Sequence, residues 1–149
     1  MDENSLKNLE MIKEMLAQEF TISKHSVLAN AVIKDRFIYA VRQHNDLGKF
    51  EEIIKSIMKI NEEIQREGFL HIADLKDEIQ NKIYHNIADL LAASTNLMRI
   101  TALLESSFYY LSVEELIESV LIHDGVIMCV LGHTNDEISI RLRSMINML

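Results

Sequence analysis

The chain has 149 residues, of which 48% are hydrophobic and 26% are charged, the balance of a folded globular protein rather than a disordered one. Its formal net charge of −8 argues against a nucleic-acid partner and against docking on anionic lipid, because both require a surface rich in lysine and arginine. Proline is absent, and there are only four glycines and one cysteine. We therefore expect helices joined by short turns, without an internal disulfide framework.

The N-terminal part of the chain predicts three amphipathic helices, because apolar residues recur there every three or four positions. The first runs over about Asn4–Glu19. The second carries the apolar residues of Val27–Val41. The third begins around Lys49 and ends at Gly68, since glycine is a common residue just after a helix.

The C-terminal part predicts further helices. A helical pattern runs over Leu70–Leu104, with or without a break. Ser112–Glu115 and Thr134–Glu137 both match the capping box, in which a Ser or Thr and a Glu three residues later satisfy each other's free amides. Gly125–Asn135 contains no acidic residue, lysine or arginine, and we expect it to be deeply buried. These elements indicate one all-α domain of six or seven helices over residues 1–149.

The sequence also bears on location. The acidic start Met1-Asp2-Glu3-Asn4 is unlike a signal peptide, and no stretch reaches 18 consecutive apolar residues, so we expect no membrane span. A lone thiol, Cys129, is typical of a reducing compartment. The predicted location is the cytoplasm.

One polar seam interrupts the apolar pattern. Arg99 is the only Lys, Arg, Asp or Glu between Asp89 and Glu105, and helical spacing places Asn96, Asp89 and His85 on its face. Such a fixed cation can meet an anionic head group, because arginine and carboxylate form a strong contact where water is excluded. The alternative is that the seam is the solvent side of an amphipathic helix, with an ordinary i,i+4 pair.

The six histidines show no metal-ligand spacing, and we predict no metal site. His123 and His133 bracket the uncharged segment and are candidates for neutral donors beside a buried cavity, although surface or satisfied core positions are commoner. A haem would need only one axial histidine, but no spacing selects one. The surroundings of His85 resemble the phospho-acceptor helix of some histidine kinases, except that Asn86 stands where an acidic residue is usual.

A short motif near the C-terminus and the set of methionines each have two interpretations. Gly132–Ser139 resembles the opening of a helix-turn-helix of the LuxR type, but little chain follows it for a recognition helix, and the net charge disfavours DNA. Several methionines sit among aliphatic residues, where an unbranched side chain either lines an adaptable cavity or fills gaps in a core. These are Met58, Met98, Met128, Met145 and Met148.

The whole pattern resembles the haem-less, globin-like sensor domains of sporulation histidine kinases in bacilli, especially the small stand-alone copies carried on plasmids. The resemblance rests on the length, the proline-free helical order and two long segments, Asp77–Glu105 and Ser112–Leu131, that suit the last two globin helices. Two features depart from ordinary globins: no proline opens a short third helix, and no histidine is clearly proximal.

The resemblance implies a non-enzymatic homodimer with a globin fold that holds a fatty acid in an apolar tunnel and no haem. It also implies regulation of sporulation, by competition for the signal of a sensor histidine kinase. It transfers no binding residue. On physical grounds we expect three polar residues at the head-group end and three apolar residues in the tunnel wall: Arg99, His85 and Asn96, and Leu91, Met98 and Met128. The alternative is a helical protein-interaction adaptor or kinase inhibitor that has no small ligand and acts through an apolar groove.

Overall fold

The computed structural model describes residues 3–8, 10, 25–44 and 46–147. Six α-helices follow in chain order: α1 (Ala31–Gln43), α2 (Glu51–Glu67), α3 (Lys82–Ala92), α4 (Leu97–Phe108), α5 (Val113–Val130) and α6 (Asn135–Asn147). Three 3-10 segments are Val27–Ala29, Leu47–Phe50 and Phe69–Glu78. Residues 3–8 are also helical and exposed, and no strand occurs among the residues described. The all-α prediction is confirmed, whereas positions 9 and 11–19 of the predicted first helix, and Met148, lie outside the described residues.

Polar side chains set where most of these helices begin. Asn30 accepts hydrogen bonds from the amides of Val32 and Ile33 at the start of α1, and Asn81 accepts one from Tyr84 at the start of α3. Each such bond satisfies an amide that has no partner inside the helix.

Both predicted capping boxes lie at helix starts. Ser112 Oγ accepts from the Glu115 amide at 3.3 Å at the start of α5. At the start of α6 the exchange is reciprocal: Thr134 Oγ1 accepts from the Glu137 amide at 3.2 Å, and the Thr134 amide donates to Glu137 Oε1 at 3.0 Å. The sequence therefore located both helix starts.

Gly68 ends α2, as predicted, with φ at 93° and its amide donating to Ile64 O at 2.7 Å. The chain then continues as the 3-10 segment Phe69–Glu78 rather than as an α-helix. Ile72 and Leu75 are buried there, and their spacing of three places both on one face of the tighter helix. Tyr84 Oη donates to Leu75 O at 2.6 Å and ties the segment to α3.

The predicted segment Asp77–Glu105 is not one long helix. It contains the end of the 3-10 segment, then α3 and α4, which are separated by a turn at residues 93–96. Ser94 has a positive φ of 60°, and the Asn96 side chain begins a new helix by accepting from the Arg99 amide at 2.9 Å. Serine, threonine and asparagine side chains compete for backbone hydrogen bonds, which explains a break at Ser94-Thr95-Asn96.

Helix α5 is the centre of the fold and contacts each of the other five α-helices. Thirteen of its eighteen residues are buried, so it is apolar around its whole circumference, the pattern of a core helix. Gly125 allows α2 to approach closely, because a Cβ there would lie 2.9 Å from Ile57 Cγ2. The buried apolar side chains of the described elements form one hydrophobic cluster.

The expectation that all of Gly125–Asn135 is buried is correct only for its first part. Gly125–Cys129 is buried within α5, whereas Leu131, Gly132 and Thr134 are exposed. The helix ends at Val130, and the turn to α6 passes through Gly132 with φ at 86°. A turn leaves backbone groups that need water, so a run without charges does not by itself indicate burial. No helix of the described chain has the length and apolar character needed to cross a membrane.

Candidate functional site

A polar network lies inside the apolar core, around the middle of α5. His123 and Asp124 are 0% and 4% exposed, and Ser26, Thr101 and Arg141 are the buried polar residues nearest to them. These five residues, called here the buried network, come from α4, α5, α6 and the turn before α1. Buried polar groups must be paired to be tolerated, so the contacts of each member decide what the network can do.

The Asp124 carboxylate anchors the turn before α1. Its Oδ2 accepts from Ser26 Oγ at 2.5 Å, and its Oδ1 accepts from the Val27 amide at 3.1 Å. His123 Nδ1 lies 2.9 Å from Oδ1, and Arg141 Nη2 lies 3.9 Å from Oδ2. Burial raises the pKa of Asp124, but the hydrogen bond and charge of His123, the charge of Arg141 and the Ser26 hydrogen bond outweigh it, so the pKa lies below its usual value. The group is therefore an ionised structural acceptor.

The second ring nitrogen of His123 connects the network to α4. Nε2 lies 3.2 Å from Thr101 Oγ1, which is also 3.2 Å from the carbonyl oxygens of Leu97 and His25. The Phe108 ring packs edge-on against the imidazole, with centroids 6.0 Å apart. Both nitrogens and the edge of the ring therefore have neighbours inside the fold.

The buried network combines Ser, His and Asp but lacks the geometry of a nucleophilic triad. Ser26 Oγ bonds to Asp124 rather than to His123, so the imidazole is not placed to take the hydroxyl proton. The adjoining cavity has a volume of about 10 Å³, lined by Ser26, Asp124, Met128 and Arg141 among others. That is about the space one water molecule requires. The arrangement suits holding helices together, and it leaves no room there for an organic substrate.

The six residues predicted to bind a ligand lie on three helices and on the turn between two of them. Met98 and Arg99 lie in the first turn of α4, which Asn96 caps, and all three are exposed, Met98 by 56%. His85 and Leu91 lie in α3, half-buried and buried respectively, and Met128 is buried in α5.

The predicted polar seam is not formed, because its premise of one continuous helix from His85 to Arg99 fails at the turn between α3 and α4. Asp89 pairs with Lys76 at 2.6 Å, and Asn96 serves as a helix cap. His85 Nε2 is buried without a hydrogen-bond partner among the described atoms, and its ring lies against that of Tyr84. Of the six, only Met128 lines the small cavity.

Sequence reasoning singled out His123 but missed its partners. Asp124 is the only acidic or Lys/Arg residue between Glu118 and Asp136, and that isolation was the available signal. Ser26 and Thr101 carried no signal of their own, because their partners lie 98 and 22 positions away in the chain.

Two open clefts lie at the surface around the first turns of α5. The first, the apolar cleft, has a volume of about 330 Å³ and lies between α1 and α5. The second, the acidic cleft, has a volume of about 380 Å³ and lies between α3 and α5. Leu111 lines both, and we call the pair the Leu111 groove. Its main lining residues are Tyr39, Val113 and Leu116 on the apolar side and Lys82, Glu115 and Glu118 on the acidic side.

Cys129 and the potential metal ligands of the described residues do not form a reactive site. Burial raises the pKa of the Cys129 thiol to about 12, so it is neither an activated nucleophile nor a ready metal ligand. Within the described residues, no three His, Cys, Asp or Glu side chains come together as a potential metal site.

Comparison with known proteins identifies no relative. No protein-family model matches the sequence, and no curated protein or solved structure matches it significantly.

Proposed function

We propose that this protein is a non-catalytic, cytoplasmic regulatory module with a globin-like fold, which modulates a sporulation sensor histidine kinase by binding to it. The partner and the globin-like assignment rest on the resemblance in helical order and length. The Leu111 groove is the observation that favours contact as the mode of regulation. It is an open surface feature beside exposed apolar side chains: Tyr39, Tyr110 and Val113 are 61%, 89% and 40% exposed.

The packing of the interior favours the same mode. The longest buried stretch, in α5, contacts every other α-helix of the described chain, and the cavity beside Met128 and Arg141 holds about one water molecule. A long-chain guest would require these helices to separate, which would break well-packed contacts. A partner seated on the surface requires no such change.

The test is autophosphorylation of a purified sporulation sensor histidine kinase, measured with labelled ATP as this protein is added. We expect a saturable change in the rate. Val113→Lys should weaken that effect about tenfold, because it places a charge in the apolar cleft. Leu70→Lys is the matched control, since Leu70 is 52% exposed and is not one of the residues lining either cleft. No effect of the unaltered protein at large excess would contradict the proposal.

A second proposal is that the protein is a homodimer that binds a long-chain fatty acid and thereby lowers the amount of signal available to the kinase. What supports it is the resemblance, together with the cation Arg99 and the apolar side chain of Met98, both exposed in the first turn of α4. A carboxylate head group would pair with an arginine of this kind, and its chain would contact the neighbouring apolar side chain.

The finer probe of this second proposal is Arg99→Ala in protein loaded with a labelled long-chain fatty acid. Weaker retention would keep Arg99 at the head-group end, with His85, Asn96, Leu91, Met98 and Met128 as the remaining candidates. Unchanged retention would remove Arg99 from the site. Arg143→Ala is the comparison for loss of a positive charge. Arg143 is not one of the candidate residues and pairs with Glu51 at 2.7 Å.

A further inference from the structure

We propose that the Leu111 groove binds an amphipathic helix of a partner protein, with an aliphatic stripe along one face and lysine or arginine at one end. This inference rests on the proposed contact mode and adds the chemistry of the occupant. The two clefts share Leu111, so one ligand can fill the apolar cleft with its stripe and reach the acidic cleft with its basic end.

The apolar cleft has the composition of a helix-binding pocket. Tyr39 and Val113 are substantially exposed and Ala40 and Leu116 beside them are buried, so most of the lining is apolar, and the two charged lining residues, Asp35 and Arg36, are exposed. Amphipathic helices dock into such grooves with aliphatic side chains three or four positions apart. Tyrosine is frequent at the centre of such interfaces, because it brings a large contact area at a low cost in conformational entropy.

The charges of the acidic cleft favour a partner that is positively charged where it contacts this cleft. Glu115 and Glu118 line it against one cation, Lys82. Glu118 accepts a hydrogen bond from Asn81 at 3.1 Å, whereas Glu115 is exposed and makes no ion pair within the described part of the chain. The excess of carboxylate complements a lysine or arginine, and electrostatic complementarity of this kind selects partners.

Neighbouring charges do not cancel this excess. Lys49 is paired with Glu114 at 2.5 Å, and the charge of Arg36, whose guanidinium donates to the carbonyl oxygen of Tyr109, is offset by that of Asp35 in the same cleft. A second copy of this chain, with the same net charge of −8, would bring further carboxylates to the groove. Like charges placed together oppose association, so the groove favours a basic partner over self-association.

The experiment is selection from a phage-displayed library of helical peptides, followed by titration of the enriched peptides against the purified protein by fluorescence anisotropy. We expect enriched peptides to carry aliphatic residues three or four apart and a net positive charge. Val113→Lys and Glu115→Lys should each weaken their binding about tenfold. The matched controls are Leu70→Lys and Glu52→Lys; Glu52, like Glu115, is an exposed acid in the first turn of its helix.

Thermal melting checks that each variant is folded; should Val113→Lys not fold, Tyr39→Ala replaces it, because Tyr39 is 61% exposed. The inference is overturned by enrichment of acidic peptides, by no enrichment, or by equal binding to groove and control variants. A dimer of the unaltered protein that Glu115→Lys dissolves or tightens would also overturn it, since the occupant would then be a second copy. If kinase activity responds to this protein while the groove variants act normally, this inference and the assignment of the contact to the Leu111 groove both fail, and only regulation of the kinase stands. If basic helices bind the groove but no kinase responds, the proposed function fails and this inference stands.

Discussion

At the scale of single residues, Asp124 is the member of the buried network that contacts three of the other four. One carboxylate receives the Ser26 hydroxyl, the Val27 amide and the His123 ring, and it faces Arg141. Removing one member of a buried charged group leaves the others desolvated without compensation, which costs more than the intact group contributes. The network thus makes the position of the turn before α1 depend on α5.

Asp124→Asn should lower the free energy of unfolding by about 3 kcal/mol, because an amide has the shape of the carboxylate but not its charge or its full capacity to accept hydrogen bonds. Urea denaturation at neutral pH measures the change. Asp77→Asn, at an exposed position, is the control and should change little. Equal stability of the two variants would show that the buried network contributes nothing.

The ionisation of Asp124 gives a pH-dependent prediction. Its folded-state pKa lies below the usual value, so its contribution to stability is complete above the unfolded pKa of about 3.9 and is lost as the pH falls through the folded pKa. The carboxyl carbon of Asp124, followed by NMR, should therefore titrate at a lower pH than an aspartate in a short peptide. A midpoint above that of the peptide would mean that burial outweighs the contacts from His123, Arg141 and Ser26.

At the scale of elements, the close contact of α2 with α5 depends on a single missing side chain. A Cβ at Gly125 would lie 2.9 Å from Ile57 Cγ2 and 3.1 Å from Leu142 Cδ1, and both distances are shorter than an ordinary van der Waals contact. Both neighbours are fully buried, so they have little space into which to move.

Gly125→Ala should therefore destabilise the fold by about 1–3 kcal/mol, although alanine is the better helix former. Chemical denaturation of Gly125→Ala, Ile57→Ala and the double variant forms a cycle that isolates the contact. The double variant should lose less stability than the two single changes together, because the smaller residue 57 makes room for the new methyl group. Strict additivity would contradict the proposed crowding.

The same elements show what could be read from the sequence. Helix starts at Ser112 and Thr134 and the helix end at Gly68 were predicted correctly, because caps are determined by residues within one turn. The sequence does not decide whether the helix breaks near Ser94. The apolar spacing continues through this point, while the polar side chains redirect the backbone. The predicted polar seam assumes one continuous helix, and the break instead places His85 in α3 and Arg99 in α4.

At the scale of the whole molecule, the structure is a core built around one buried helix, with the open clefts placed at its surface. The buried network joins four parts of the chain and could not be read from the sequence, because Ser26 and Asp124 are 98 positions apart. The Leu111 groove likewise combines α1, α3 and the start of α5, so neither cleft corresponds to a local motif. Composition predicts that a core exists, but only the topology determines which residues line the clefts at the protein surface.

The central claim is that this protein acts through its surface rather than by storing a ligand inside. Native mass spectrometry of the protein, purified under mild conditions from a cell extract, tests that claim most directly. We predict the mass of the polypeptide alone, as a monomer or an oligomer. A stoichiometric additional mass equal to that of a long-chain fatty acid, lost on denaturation, would contradict the account and support signal capture instead.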